Sequence, residues 1–433
     1  MTGLARAGKT AFLTSLAANL LALGVGRPVL PAVAARLRGR SASISLAPAG
    51  ASAIPRFDYA AHLAALVRDP PAWPERTNAA SLLAFEIVIA RTGFGSAIPP
   101  QRLRLELLDY PGEWLLDLPL LRTSFDDWSD QVLRRLEGRA EAAEFLAFAT
   151  ALPAGAHEDE SLAAAGHRLY RAALERLREA GLSLLQPGRF LMPAPGDAPP
   201  WMAFFPHRGS RRGGSGGLHG LLGRRYDAYV AAVLRDLSDP LFGKLDRMVV
   251  LVDVLSALGA GSAAFADMQA ALAEASGGLR WRRSLLETAM ALGRLRAPPR
   301  VVSRVVFAAT KSDHVGDRQR ENLAALLRRI AEPAAAVPAS YLAIAAVRCT
   351  TDITWMLDGR PVSAVQGRRL GDDRPIRSFP GEVPHTPPGA EFWAHPFLEL
   401  PQFEPVRPVD AGRGGVPNLG LDTLLVTLLD DVL

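Results

Sequence analysis

The sequence predicts a mixed α/β protein built on a doubly wound sheet that carries a large helical insertion. Short apolar runs that end in polar residues recur along the 433 residues, and segments with a helical period of apolar residues separate them. A glycine-rich turn also opens directly into the first helical segment. Alternation of this kind favours a largely parallel sheet with helices packed on both faces.

The composition is that of a folded chain, with 49% hydrophobic and 21% charged residues. A single cysteine, Cys349, excludes an intrachain disulfide and a cysteine-based metal cluster. The net charge of +5 is small for this length and gives no strong support for nucleic acid as a partner. Because no apolar run reaches the roughly 18 residues of a spanning helix, we expect a chain that is not transmembrane.

Lysine is rare among the 49 basic residues: only Lys9, Lys244 and Lys311 are Lys. A lysine in so arginine-rich a chain suggests a need for a compact ammonium on a slim stem. Lys244 reads as an ordinary surface residue, whereas the other two fall in motifs.

Residues 3–10, G-L-A-R-A-G-K-T, match the phosphate-loop pattern G-x-x-x-x-G-K-[S/T] and lead into a helix with an apolar face at Leu13, Leu16 and Leu20. In such a loop the backbone N–H groups and the helix N-terminus bind phosphate oxygens, the lysine reaches the β- and γ-phosphates, and the hydroxyl binds Mg²⁺. We expect the nucleotide to contact Gly3, Arg6, Ala7, Gly8, Lys9, Thr10 and Ala11, with Thr10 on the metal.

A phosphate loop normally follows a strand, but only Met1 and Thr2 precede Gly3. We therefore expect the first strand to be missing from this chain, and we hypothesise that the natural start lies upstream.

The next signal is a predicted strand at Arg102–Leu108 that runs into D-x-x-G at Asp109 and Gly112. In P-loop GTPases this Asp orders Mg²⁺ through water, and the Gly N–H senses the γ-phosphate. We predict that Glu113 orients the attacking water. The alternative is that its carboxylate only forms an ion pair with a nearby arginine.

A switch threonine that closes on Mg²⁺ is expected between the phosphate loop and Asp109. Thr77 precedes the predicted strand Leu82–Ala90 and is the first candidate, with Thr92 as the second.

The apolar run Val305–Ala309 ends in Thr310, Lys311, Ser312 and Asp313, which fits the guanine-reading pattern [N/T]-K-x-D. Asp313 would accept hydrogen bonds from the guanine ring N–H and exocyclic amine, and the Lys311 stem would lie over the base. The motif favours GTP over ATP, with a surface turn as the alternative. Backbone N–H groups near Ala346 and Val347 are expected to meet the guanine carbonyl.

Asp109 and Thr310 are about two hundred residues apart, which indicates inserted chain between the motifs. Helical periodicity at 124–152 and 161–184 falls in this stretch, and 262–295 is largely helical again. We predict a GTPase core at 1–113 and 246–350, a helical insertion at 114–245, a Pro/Gly-rich elaboration at 351–415, and a closing helix within 416–433.

The sequence resembles the YcjX-like family of bacterial P-loop proteins, which are stress-associated. The likeness is carried by residues 3–10, 73–77, 108–121, 249–258 and 309–314, among which D-Y-P-G-E-W-L-L-D at 109–117 is the most specific. It implies guanine-nucleotide binding on a GTPase-like core, an inner-membrane protein as partner, and a cytoplasmic location or peripheral attachment to the inner membrane.

These signals together predict a Mg²⁺-dependent GTPase that cycles between GTP and GDP and thereby switches the helical insertion. A nucleotide-gated scaffold with negligible hydrolysis and an ATPase are the alternatives. Arg6 stands where guanylate-binding large GTPases carry an arginine finger, so by that resemblance Arg6 would neutralise charge on the leaving phosphate. Arg76 is a second candidate for this role.

Overall fold

The computed structural model describes the chain except for short stretches. The residues left out are 5, 38, 49–53, 76–79, 92–98, 154, 193–198, 210–216, 238–244, 276–301, 333–338, 373, 395–397 and 433.

Ten strands are described, and they form three groups. They are β1 (Thr2–Gly3), β2 (Ala42–Leu46), β3 (Ser81–Ile89), β4 (Gln101–Asp109), β5 (Arg247–Val252), β6 (Arg304–Ala309), β7 (Ala339–Ala343), β8 (Thr350–Leu357), β9 (Arg360–Arg368) and β10 (Pro375–Ser378). A parallel sheet has the order β1-β5-β6-β7, and two antiparallel sheets have the orders β2-β3-β4 and β10-β9-β8.

The first strand, expected to be missing, is present as the two-residue strand β1. It pairs in parallel with β5, with Thr2 opposite Val250. On its other side the Met1 ammonium donates to the Leu108 carbonyl at 2.8 Å, and the Tyr110 N–H donates to the Met1 carbonyl at 3.1 Å. The start of the chain therefore joins the β2-β3-β4 sheet to the parallel sheet.

Helices cover both faces of the parallel sheet, because alternate residues of its strands point to opposite sides. Val250 and Phe307 pack on one face with Leu323, whereas Leu251 and Val306 pack on the other face with α1 and α12. The described helices of this part are α1 (Lys9–Gly24), α2 (Pro31–Arg36), α3 (Tyr59–Val67), α9 (Val254–Gly259), α10 (helical over 262–275), α11 (Asp317–Ala331) and α12 (Leu421–Leu429).

Among the described residues, five further α-helices lie between β4 and β5 and share one hydrophobic core rich in aromatic side chains, among them Trp128, Tyr170 and Phe204. We call this part, residues 125–237, the helical region. Its helices are α4 (Phe125–Leu136), α5 (Ala143–Ala151), α6 (Glu160–Glu179), α7 (Gly188–Leu191) and α8 (Leu218–Leu237).

One predicted helix differs from the structure. The helix expected over 124–152 is two helices, α4 and α5, because the chain turns at Gly138, whose φ of 75° is left-handed and ends a helix readily. Its predicted start is confirmed, since the Ser124 hydroxyl accepts a hydrogen bond from the Asp127 N–H at 3.1 Å.

The stretch 351–415, predicted as a Pro/Gly-rich elaboration, holds almost all of the antiparallel sheet β10-β9-β8. The predicted helix over 262–295 is observed as far as 275, and its remainder lies outside the described residues. None of the described helices has both the length and the apolar character needed to cross a membrane.

Candidate functional site

The phosphate-loop motif forms a tight turn between β1 and α1. Arg6 and Gly8 both have left-handed φ angles, 63° and 78°, and Gly8 caps the N-terminus of α1. The Lys9 ammonium reaches back and donates to the Gly3 carbonyl at 3.1 Å. Curling of this kind turns backbone N–H groups inward at the positive end of a sixteen-residue helix, which is an arrangement that binds phosphate.

The D-x-x-G loop lies against this turn. Asp109 is the last residue of β4 and is buried, and Gly112 begins a 3-10 segment that runs from Gly112 to Arg122. A Cβ on Gly112 would lie 1.7 Å from the Gly3 carbonyl oxygen, so only glycine allows the two backbones to come this close. The two motifs are thus in direct contact.

Glu113 points toward the phosphate-loop lysine. Its Oε2 lies 4.0 Å from the Lys9 ammonium, and its side chain is 11% exposed. Among the described residues Oε2 has no hydrogen-bond donor. At this distance the ammonium and the carboxylate form an ion pair without a direct hydrogen bond between them.

The candidate metal ligands are only partly described. Thr10 lies in the first turn of α1 and Asp109 ends β4, while Thr77, Thr92 and Arg76 lie outside the described residues. Ser81 is directly opposite Asp109 in the β3–β4 ladder, and its buried hydroxyl has no partner among the described residues. Hydroxyl and carboxylate oxygens are the donors that Mg²⁺ prefers, so this set fits the ion.

The guanine-reading motif follows β6. Lys311 has a left-handed φ of 59°, and its ammonium donates to the Asp253 carboxylate and, at 3.3 Å, to the Ser256 hydroxyl. Asp253 directly follows β5 and caps α9 by accepting from the Ser256 N–H. Sequence reasoning missed Asp253, although an apolar strand that ends in Asp is a recognisable signal.

Asp313 is held by the chain that follows β7. Its Oδ2 accepts from the Cys349 N–H at 2.6 Å and from the Cys349 thiol at 3.0 Å, and His314 Nδ1 lies 3.3 Å from Oδ1. Burial alone would raise the pKa of Asp313, but the contacts with His314 and Cys349 outweigh it and hold this pKa below its usual value. The carboxylate is therefore ionised and oriented.

Cys349 was not among the predicted site residues. Burial and the neighbouring Asp313 raise the pKa of its thiol well above the usual value, so the thiol is protonated and donates. Asp313, His314 and Cys349 bring their ligand atoms within 4.8 Å of one another, and the hydrogen bonds within this buried group account for the clustering.

The predicted last loop packs beside the guanine-reading motif. The Ser312 N–H donates to the Ile344 carbonyl at 3.0 Å, and Ala345 forms an antiparallel bridge with Leu419. Ala346 is half-buried, and Val347 is buried in a small apolar cluster that includes Ala18.

Arg6 is exposed and lies on a cavity of about 170 Å³ at the edge of the phosphate loop. The cavity is also lined by Leu4, by Asp253, and by the last residue of α6, Glu179, with Ala180, Gly181 and Ser183 just beyond it. The helical region therefore reaches the phosphate loop itself.

The phosphate loop and the T-K-x-D segment follow the parallel strands β1 and β6, and the D-x-x-G loop after β4 lies against the phosphate loop. This combination defines a P-loop protein with a GTPase-like fold. The family profile described as "YcjX-like family, DUF463" matches residues 1–433. The chain belongs to the YcjX-like family.

Two curated relatives cover the whole chain. One, named Ras-like GTPase YcjX, from Escherichia coli strain K12, is 34% identical over 452 residues, which span 100% of this chain and 95% of the relative. Another of the same name, from Shewanella oneidensis, is 32% identical over 467 residues, which span 100% of this chain and 94% of that relative.

Proposed function

We propose that this protein binds GTP with Mg²⁺ and hydrolyses it to GDP and phosphate. The observation that carries the proposal is the contact between the phosphate loop and the D-x-x-G loop, where Gly112 lies against Gly3 and Glu113 faces Lys9. The printed name of the two relatives, Ras-like GTPase, supports the same activity.

In this proposal Lys9 and the N–H groups of the phosphate loop bind the β- and γ-phosphates. Glu113 accepts a hydrogen bond from a water molecule and aims its oxygen at the γ-phosphorus. The new P–O bond forms as the bond to the β–γ bridging oxygen breaks, GDP leaves with that electron pair, and the proton lost by the water passes to an oxygen of the phosphate formed. Mg²⁺, held by Thr10 and through water by Asp109, would neutralise charge on the phosphate oxygens.

Base recognition is assigned to Asp313 and Lys311. An ionised carboxylate in the segment after β6 complements the two N–H donors of guanine, which adenine does not present in this pattern. Arg6 is the proposed internal arginine, and the backbone near Ala346 and Val347 is the proposed contact to the guanine carbonyl. These assignments favour the GTPase over the ATPase alternative.

Turnover and binding measured together test the proposal. Steady-state hydrolysis of GTP beside ATP, with isothermal titration of GDP and ADP, should show GTP turnover and tighter binding of GDP. Tight GDP binding without turnover would favour the scaffold alternative, and preference for ADP would favour the ATPase.

The Glu113 role is tested by Glu113→Ala. We expect GTP hydrolysis to fall at least tenfold with GDP affinity unchanged, because the side chain acts on water and not on the diphosphate. Glu141→Ala, which removes a carboxylate of the helical region outside the site, is the control. Unchanged turnover in Glu113→Ala would remove this assignment.

The cellular setting is proposed from the family resemblance: a bacterial stress or envelope response, with an inner-membrane protein as partner. Crosslinking of the GTP-bound and GDP-bound protein in native membranes should give a specific membrane adduct in one nucleotide state. Equal labelling in both states, or none, would contradict it.

A further inference from the structure

The chain that follows Gly112 is in close contact with one short stretch of the helical region, Gln186–Met192, which we call the clamp segment. Gly188 of this segment lies against the backbone of Glu113. A Cβ on Gly188 would stand 1.9 Å from the Glu113 carbonyl oxygen and 2.4 Å from its carbonyl carbon. The helical region therefore touches the proposed water-orienting residue directly, backbone against backbone.

Asp117 anchors this contact from the other side. Its carboxylate is fully buried, accepts from the Gly188 N–H at 2.7 Å, and accepts from the Tyr229 hydroxyl at 2.5 Å. The Arg189 guanidinium lies 3.9 Å away. A buried carboxylate with these partners is held in one place, because removing any partner leaves buried charge or polarity unsatisfied.

Two further hydrogen bonds and one stacking contact connect the chain after Gly112 to the clamp segment. The Trp114 indole N–H donates to the Met192 carbonyl at 2.8 Å, and the Arg189 guanidinium stacks 5.0 Å from the Trp114 ring centre. The Gln186 amide donates to the Leu116 carbonyl at 2.6 Å. Residues 113–117 are thus held along their length by the clamp segment, while Gly112 is held by the phosphate loop.

We infer that the clamp segment positions Glu113 for hydrolysis, so that the helical region acts as a built-in activating element of the GTPase site. The inference rests on the proposed function. Gly188 and Asp117 are positioning residues in this view, because they reach the reacting atoms only through Glu113.

Gly188→Ala tests the inference, because the added methyl must displace the Glu113 carbonyl. Single-turnover GTP hydrolysis should fall at least tenfold, while affinities for GDP and a non-hydrolysable GTP analogue stay within threefold. Gly166→Ala is the matched control: its Cβ would stand 2.2 Å from the Phe205 ring, inside the same helical region and away from Glu113. This control should lower stability and keep the turnover of the folded protein.

Two more conservative variants, Tyr229→Phe and its control Tyr226→Phe, test the inference if Gly188→Ala does not fold. Tyr229→Phe removes the hydroxyl bonded to Asp117 and should lower turnover at least threefold. Tyr226→Phe, one turn earlier on α8, removes a hydroxyl that donates to the Thr123 carbonyl at 2.8 Å and should leave turnover unchanged.

Trp114 fluorescence supplies a readout that a merely structural role would not move. The emission difference between GDP and GTP-analogue states, identified by its loss in Trp114→Phe, should vanish in Gly188→Ala and persist in Gly166→Ala. Wild-type turnover in Gly188→Ala, or equal losses in Gly188→Ala and Gly166→Ala, would overturn the inference. Absence of turnover in the wild-type protein would instead remove the proposed function.

Discussion

Asp313 shows how far a single motif residue can be understood from the sequence. The pattern around it predicted a base-reading carboxylate after a buried strand, and the structure has that residue buried after β6. Its partner Cys349 was not predicted, because the contact depends on how the chain folds back after β7. A pattern of neighbours cannot encode an approach between residues 36 positions apart.

Exchange of this carboxylate for an amide should change the base preference. In Asp313→Asn the side chain presents a donor where guanine also presents donors, so affinity for GDP should fall roughly tenfold to a hundredfold, and xanthosine diphosphate should bind better. Isothermal titration of both diphosphates measures the change.

Asp317→Asn is the control for this exchange, because Asp317 is an exposed acid that accepts a hydrogen bond from the Ser363 hydroxyl and should leave base preference unaltered. Retained GDP affinity in Asp313→Asn would contradict the base-reading role.

Contacts between elements were harder to foresee than the elements themselves. The strands beside the motifs and helix α1 follow from apolar periodicity and flanking glycines. The approach of α7 to the 3-10 segment after Asp109 does not, since Gly188 looks like any loop glycine until the tertiary packing brings it onto Glu113. The position of Gly188 depends on how the shared core of the helical region packs, which neighbouring residues in the sequence do not specify.

Asp117 lies in the 3-10 segment and is bonded to α7 through Gly188 and to α8 through Tyr229. Its titration should therefore make the stability of these contacts depend on pH. Burial raises its pKa from 3.8 to about 6, while the bond from Tyr229 and the charge of Arg189 oppose the rise. A raised pKa in the folded state means that the protonated carboxyl stabilises the fold at low pH, and that this stabilisation is lost as pH rises toward about 6.

Between pH 5 and pH 7 the loss should be about 1 kcal/mol. Urea unfolding of the wild-type protein and of Asp117→Asn across this range measures it, since the amide does not titrate. The difference in unfolding free energy between the two should move in favour of Asp117→Asn as pH rises. A difference that stays constant would show that Asp117 does not titrate here.

At the scale of the whole molecule, Met1–Gly3 bridges two sheets and leads directly into the phosphate loop. The proposed nucleotide site therefore lies where the β2-β3-β4 sheet, the parallel sheet and the helical region meet. The sheet β10-β9-β8 forms after the last loop, apart from this junction in sequence.

This arrangement predicts which parts of the molecule respond to the γ-phosphate. Hydrogen exchange should slow at 112–122 and 186–192 when a non-hydrolysable GTP analogue replaces GDP. Gly112 gains a phosphate contact, and the clamp segment packs directly against the adjacent Glu113. Exchange in β8 and β9 should not change. Lys9→Ala, which removes the phosphate-binding ammonium, should abolish the difference, and a change confined to α1 would contradict the prediction.

Gly112 lies against Gly3, and Gly188 lies against Glu113, the residue after Gly112, so three backbone segments are in series with no side chain between them. Side chains usually absorb a small shift inside a protein by changing rotamer, but no side chain stands between these backbones to do so. Close-packed groups transmit strain rather than absorb it. We therefore expect a displacement of Gly112 to be passed on to Gly188, so that these close backbone contacts would link a bound phosphate mechanically to the helical region.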